Sequence, residues 1–191
     1  MGKEKYIGTK FATIFLGDFI PEKKEIKLID DLIIAGQAFG VMGIKDKNGG
    51  NISARVSSGF IIKRTGAHPY ELKESDFVLV SKTQADKVWV YGKHEPSSEA
   101  RLHAAIYKVR PDVNCILHCH DFLGVFYPDK FSDIAYIKEI SYGTKESAKA
   151  VGAAAKTFNY LIQTNHGVIA VGKNIKSTLI LIKKMHQRFV K

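Results

Sequence analysis

Cysteine is scarce in this chain of 191 residues: only Cys115 and Cys119 are present. Four apart on one short segment, they cannot form the multi-bridge framework of a small secreted domain, so both are expected as free thiols. Nor is there an uncharged apolar run approaching the roughly 20 residues needed to cross a bilayer. Met1-Gly2-Lys3-Glu4-Lys5 is not followed by a signal-like apolar block. A soluble, cytoplasmic protein with no membrane contact is the expectation. Internal repeats and low-complexity linkers are absent too, so residues 1–191 read as a single domain, with residues 1–20 as an N-terminal extension of unassigned role. At 45% hydrophobic and 25% charged residues the composition suits one well-buried core. The formal charge of +10 is not concentrated in any run of five like charges, and no helix-turn-helix pair, zinc finger or aromatic ribonucleoprotein motif is present. Nucleic acid is therefore not expected as a partner. The positive excess would still draw small anions such as sugar phosphates.

Periodicity gives the elements. From Pro21, Ile26, Ile29, Ile33 and Ala38 recur at helical spacing, predicting an amphipathic helix that stops near Gly40 or Gly43. Ile52 to Val56 and Phe60 to Ile62 flank Ser57-Ser58-Gly59 as a hairpin, and Phe77 to Val80 and Val88 to Tyr91 add two strands. Pro96-Ser97-Ser98-Glu99 opens a helix that continues from Ala100 to Val109. A strand carrying Leu117-His118-Cys119-His120 follows, then a Tyr- and Phe-rich segment without a clear pattern. Thr144 is the expected cap of a helix reaching about Phe158. Tyr160 to Gln163 and Val168 to Val171 are short strands joined by Thr164-Asn165-His166-Gly167, and a last helix runs from Ile175 to Phe189. The fold class expected is α/β, with helices on both faces of a mixed, largely antiparallel sheet.

Residues two apart in a strand point the same way, so His118 and His120 share a face. Such a pair is either half of a metal site or two satisfied core histidines. His166, on a strand-end turn, could converge on them, and three imidazoles with a vacant fourth position describe a catalytic divalent site. Cys119 points to the opposite face and is excluded as a ligand. His103, four residues after Glu99, shares a helix face with it and reads as a packed or hydrogen-bonded residue. His68 and His94 fall in loops and His186 in the last helix. Three further segments, Gly50-Asn51-Ile52-Ser53, Thr65-Gly66 and Ser97-Ser98, combine glycine with short polar side chains or a helix N-terminus, as an anion site requires. Each has a bland reading as a turn or a cap.

Together these motifs, with Arg110-Pro111-Asp112-Val113-Asn114 leading into His118-Cys119-His120 and with Asn165-His166-Gly167, resemble the class II aldolase and adducin-head family over about Gly50 to Gly172. The resemblance implies a three-layer α/β/α domain and, for the family's sugar-phosphate enzymes, a homotetramer with active sites between subunits. It implies that His118, His120 and His166 hold a divalent metal, zinc first, with manganese, cobalt or iron as alternatives. Asn51, Ser53, Thr65, Gly66, Ser97 and Ser98 would surround the substrate phosphate, and Glu99 would be the acid/base. The segment between His120 and His166 is shorter than in the family's aldolases, where it supplies a residue across the subunit interface. Tyr136 and Glu139 are the candidates for that role: a tyrosine assists protonation in the aldolases, whereas a glutamate is the base in ketose-phosphate dehydratases of the methylthioribulose-1-phosphate type. The chain ends at Lys191 without the tyrosine-bearing tail of some aldolases.

The expected reaction is metal-dependent retro-aldol cleavage of a phosphorylated ketose. Negative charge appears on an enediolate as the carbon–carbon bond breaks, and a cation at the ketone neutralises it as it develops. A phosphate held remotely by neutral donors would position the reacting carbons. The alternatives are ketose-phosphate dehydration, pentulose-phosphate 4-epimerisation, and a non-catalytic adducin-like scaffold.

Overall fold

Alternation along the strands divides the apolar residues between two cores, one on each face of a single sheet. The computed structural model describes residues 7–44, 49–123 and 131–190. Within them lie strands β1 (Ala12–Gly17), β2 (Asn51–Val56), β3 (Gly59–Lys63), β4 (Phe77–Gln84), β5 (Lys87–Tyr91), β6 (Cys115–Cys119), β7 (Ala135–Ile137), β8 (Tyr160–Gln163) and β9 (Gly167–Gly172). The helices are α1 (Lys23–Val41), α2 (Ala100–Val109), α3 (Lys145–Ala155) and α4 (Ile175–Val190). The sheet order is β1-β5-β4-β3-β2-β6-β9-β8-β7. Among the described residues, only the two outermost pairs, β1 with β5 and β7 with β8, are parallel. This is the three-layer, largely antiparallel arrangement that the sequence predicts.

On β6, Cys115, Leu117 and Cys119 join the core under α1 and α4, while Ile116 joins the core under α2 and α3. Both thiols are buried and free, and burial pushes that of Cys115 up to about 12. The buried stripe of α1 runs through Ile29, Leu32, Ala35 and Phe39 rather than through Ile26, which stays partly exposed. The helix closes at Gly43, which has a φ of 79°. Thr144 caps α3 as expected, accepting from the Ser147 amide at 3.1 Å.

Two strands lacked a sequence signal. β7 is three residues long, and β1 lies inside the segment read as an extension. β1 is one of the sheet's two edge strands, and its approach is held by the Arg101 guanidinium, which donates to the Lys10 carbonyl at 2.8 Å. Residues 12–17 are therefore a structural part of the layer rather than an appendage.

Glycines on two neighbouring strands let the chain close on the end of β6. Gly50, at φ 89°, would drive a β-carbon into the His118 carbonyl oxygen, and one on Gly167, at φ 152°, would lie 2.5 Å from that of Cys119. Left-handed strain alone costs about 1–3 kcal/mol. Gly50→Ala is expected to lower the unfolding free energy by at least that much, read from urea midpoints; an unchanged midpoint would show that the close approach does not constrain the fold.

Candidate metal centre and active site

β6 sits between β2 and β9, and antiparallel pairing sets His118 opposite Asn51 on one side and Ile169 on the other. His118 lies two residues beyond Ile116 and so faces the α2 side, almost completely buried. Its Nδ1 lies 2.8 Å from the Val168 carbonyl oxygen. A carbonyl only accepts, so Nδ1 carries the proton and Nε2 keeps a free lone pair. His120 follows directly after the strand. Because β9 runs antiparallel to β6, its first residues lie beside the last ones of β6, and the β8–β9 turn delivers His166 there. That turn is closed by the His166 amide donating to the Gln163 carbonyl at 3.1 Å, with Asn165 at φ 61°. The ring centroids are 5.2 Å apart for His118 and His120, and 5.0 Å for each pair involving His166. One ring nitrogen from each histidine lies within 4.8 Å of the other two.

Glu99 faces this cluster from the N-cap position of α2. Its Oε2 is 3.2 Å from His118 Nε2 and accepts from Asn51 Nδ2 at 2.8 Å, and its Oε1 is 3.6 Å from His166 Nε2. Burial raises the pKa of this carboxyl, but the facing imidazoles of His118 and His166 outweigh burial and hold it well below the usual range. Oε1 is buried and accepts no hydrogen bond from the described residues. The Nε2 atoms of His118 and His166 approach to 3.2 Å, a distance at which two lone pairs repel unless a proton or cation lies between them. Three imidazole nitrogens beside an unsatisfied carboxylate oxygen fit a divalent ion that keeps an open position.

The expected phosphate residues divide into two groups. An isolated antiparallel bridge between Arg64 and Pro96, flanked by Thr65 N–H donating to the Glu95 carbonyl and Ser97 N–H donating to the Lys63 carbonyl, ties the segment carrying Thr65-Gly66 to the one carrying Ser97-Ser98. Ser97-Ser98 run directly into Glu99. Ser53 is a correction: it has no exposed surface, and its Oγ is bonded to His103 Nδ1 at 2.6 Å and Tyr107 Oη at 2.7 Å, so it lies beneath the site rather than at a phosphate. Asn51 is likewise occupied, between Glu99 and His103. The helix start differs as well: α2 begins at Ala100, and Ser97 Oγ accepts from the Glu99 amide at 3.3 Å in the turn before it.

Tyr136 and Glu139 do not join the cluster of their own chain. Tyr136 packs against the α1/α4 core, on the other face of the sheet from His118, and Glu139 accepts from Asn165 Nδ2 at 2.8 Å on the surface. His103 is buried and hydrogen-bonded, in keeping with its sequence reading. His186 pairs with Asp121 at 2.7 Å, His68 stacks on Tyr70, and His94 lines a separate groove. The sequence reading missed Lys63, which ends β3 and is buried under the Thr65-Gly66 loop, its Nζ donating to the Ala67 carbonyl at 2.8 Å. Burial lowers its pKa to about 8, against the opposing pull of Glu99. A lysine directly after the continuous apolar run Phe60-Ile61-Ile62 was the available signal.

Residues 30–189 match the family model described as Class II Aldolase and Adducin N-terminal domain. Among characterised proteins, the chain is 27% identical over 176 residues to a 5-methylthioribulose-1-phosphate/5-deoxyribulose-1-phosphate aldolase of Escherichia coli O45:K1, covering 83% of this chain and 79% of that one. It is 31% identical over 160 residues to the L-fuculose phosphate aldolase of Escherichia coli K12, covering 73% and 70%. Among solved structures, an L-fuculose 1-phosphate aldolase superposes with a TM-score of 0.76 at 24% identity, covering 85% and 83%. The L-fuculose-1-phosphate aldolase from Thermus thermophilus gives 0.73 at 18%, covering 86% and 91%.

Two measurements follow from this geometry. His118→Ala is expected to lose stoichiometric divalent metal in elemental analysis of protein purified without chelator, whereas His94→Ala keeps it; retained metal in His118→Ala removes the site. For Lys63, the folded pKa of about 8 lies below the ordinary 10.5. Between those values the unfolded chain binds a proton that the folded chain does not, so stability rises with pH across that window. The wild-type urea midpoint should therefore gain on that of Lys63→Met between about pH 8 and pH 10. A gap that stays constant would show that Lys63 titrates normally.

Proposed function

We propose a specific chemistry for this chain, which belongs to the class II aldolase and adducin family: cleavage of a ketose 1-phosphate between C3 and C4, giving a three-carbon ketone phosphate and an aldehyde. Membership makes the chain a metal-dependent lyase of the aldolase type. The observation that carries the reading is the meeting of three imidazoles and one buried carboxylate at the end of β6. A non-catalytic scaffold has no use for that set, and burying Glu99 among the rings costs it stability with no return.

His118, His120 and His166 would hold the ion, with zinc proposed. When bound, the cation supplies a Lewis acid that neutralises charge developing at the ketone oxygen. The loops at Thr65-Gly66 and Ser97-Ser98 hold the phosphate with neutral donors, and the Lys63 ammonium beneath adds positive potential. With the phosphate fixed, the C3–C4 bond would come within reach of the Glu99 carboxylate. The C4 hydroxyl gives up its proton as the bond breaks, the aldehyde departs, and the remaining enediolate takes a proton at C3; Glu99 moves that proton. The substrates named for the relatives, L-fuculose phosphate and 5-methylthioribulose or 5-deoxyribulose 1-phosphate, are the first to try. The proposed assembly is a cytoplasmic homotetramer in which the segment carrying Tyr136 and Glu139 completes a neighbour's site. Dehydration of the same substrates is the second reading, favoured by the Glu139 carboxylate lying one hydrogen bond from the residue before His166.

Glu99→Gln keeps the shape of the side chain and removes its charge. It is expected to lower kcat by about 10²- to 10⁴-fold while bound metal stays stoichiometric. The wild type should release aldehyde from at least one of these ketose 1-phosphates. Dehydration without aldehyde release would replace the aldolase reading with the dehydratase one.

A further inference from the structure

Outside the metal ligands, one set of buried polar groups is too ordered to be incidental. Glu99, His103 and Tyr107 are spaced four apart on one face of α2, and Asn51, Ser53 and Arg55 are spaced two apart on one face of β2. Four helical residues advance about 6 Å and two strand residues about 6.6 Å, so the two rows stay in step and interleave. Asn51 reaches both Glu99 and His103, Ser53 reaches both His103 and Tyr107, and the Arg55 guanidinium lies 4.5 Å from the Tyr107 ring.

The donor direction of every bond in this row is determined. The Glu99 carboxylate accepts, so Asn51 must present Nδ2 to it at 2.8 Å, and its Oδ1 then faces His103 Nε2. Reversing the amide would set two acceptors against each other. His103 therefore carries its proton on Nε2 and offers a bare Nδ1, to which Ser53 Oγ–H donates at 2.6 Å. With its hydrogen committed, Ser53 accepts from the Tyr107 hydroxyl at 2.7 Å. All five groups are buried. Burial also drives the His103 pKa down to about 3 and raises that of Tyr107, so neither changes its role across the working range of an enzyme. The far end is anchored: Arg55 donates to the carbonyls of Tyr107, Arg110 and Val113, each at 2.8 Å.

We propose that His103, with Ser53 and Tyr107 behind it, is a positioning residue for catalysis: it holds the Asn51 amide in the one orientation that fixes the Glu99 carboxylate against His118 and His166. This rests on the acid/base role given to Glu99 above. Four aligned donors polarise one another in the same sense, so the Asn51 N–H facing Glu99 is a stronger donor than an isolated amide. The row also gives the fully buried Ser53 hydroxyl a donor and an acceptor partner.

The first test needs no variant and no substrate. In ¹⁵N-labelled protein, the His103 ring should be the neutral Nε2–H tautomer throughout pH 5–9, distinguished by its two nitrogen shifts; the Nδ1–H tautomer would overturn the proposal. The second compares substitutions. His103→Leu removes both bonds, whereas His103→Gln can donate to Asn51 through Nε2 and accept from Ser53 through Oε1. His103→Leu is expected to lose about 10- to 100-fold in kcat, with KM nearly unchanged and metal content intact, and His103→Gln to recover most of that loss. Equal impairment of the two variants, or an unimpaired His103→Leu, overturns it. If His103→Leu does not fold, Tyr107→Phe, which deletes only the terminal hydroxyl, must show a smaller kcat loss at constant KM; no loss counts against the row. A wild type that is inactive on every ketose phosphate while showing the Nε2–H tautomer would count against the aldolase reading and support the hydrogen-bond assignment.

Discussion

The antiparallel register of β6 against its two neighbours is the constraint on which the site depends. It aligns Asn51, His118 and Ile169 across three strands, and it brings the start of β9 to the end of β6. From that alignment follow the proximity of His166 to His118, the reach of Asn51 to Glu99, and the need for glycine at positions 50 and 167. A slip of one residue would turn His118 into the α1/α4 core and expose Cys119 on the α2 side. The alternation of Cys115, Leu117 and Cys119 with Ile116 and His118 guards against that slip, because both faces of the strand are buried and each would then receive the wrong side chains.

Electrostatic cost has been concentrated near one point. Glu99, Lys63, His103 and His118 are all buried close to one another, which a core selected for stability alone would avoid. Burial opposes charge on both Glu99 and Lys63, and the other charges of the cluster are what keep each ionised form accessible. His103 resolves the conflict differently: it stays neutral and takes part only through hydrogen bonds. The set is thus divided between groups that hold charge and groups that hold orientation.

Much of this was legible in the sequence, and the rest was hidden for identifiable reasons. The His118/His120 pair and the exclusion of Cys119 follow from the two-residue period of a strand, and the Thr144 cap follows from local chemistry. The order of motifs from Gly50 to Gly172 carried the family resemblance and with it the three-layer fold. Periodicity could not reveal β1 or β7, because a short edge strand carries few alternations and its partner lies far away in sequence: β1 pairs with β5. It also misjudged Ser53. Next to a Gly-Asn turn, a serine reads as a surface anion ligand, and only the pairing of β2 with α2 shows that its side chain points into the interior. Lys63 was missed for the complementary reason, since a lysine at a strand end is ordinarily solvated.

Glu99 shows how the helix start and the chemistry are linked. It occupies the N-cap of α2, where a side chain ordinarily accepts from the first free amides, yet it makes no such bond. Main-chain bonds take up part of that duty: the Ala100 amide donates to the Ser97 carbonyl and the Leu102 amide to the Glu99 carbonyl, each at 2.9 Å, while the Glu99 amide donates to Ser97 Oγ. The carboxylate is thereby free to turn toward His118 and His166. Ser97 thus has two claims on it, as a support for the helix start and as a wall of the proposed phosphate loop, and its main-chain bond to Lys63 joins that loop to β3.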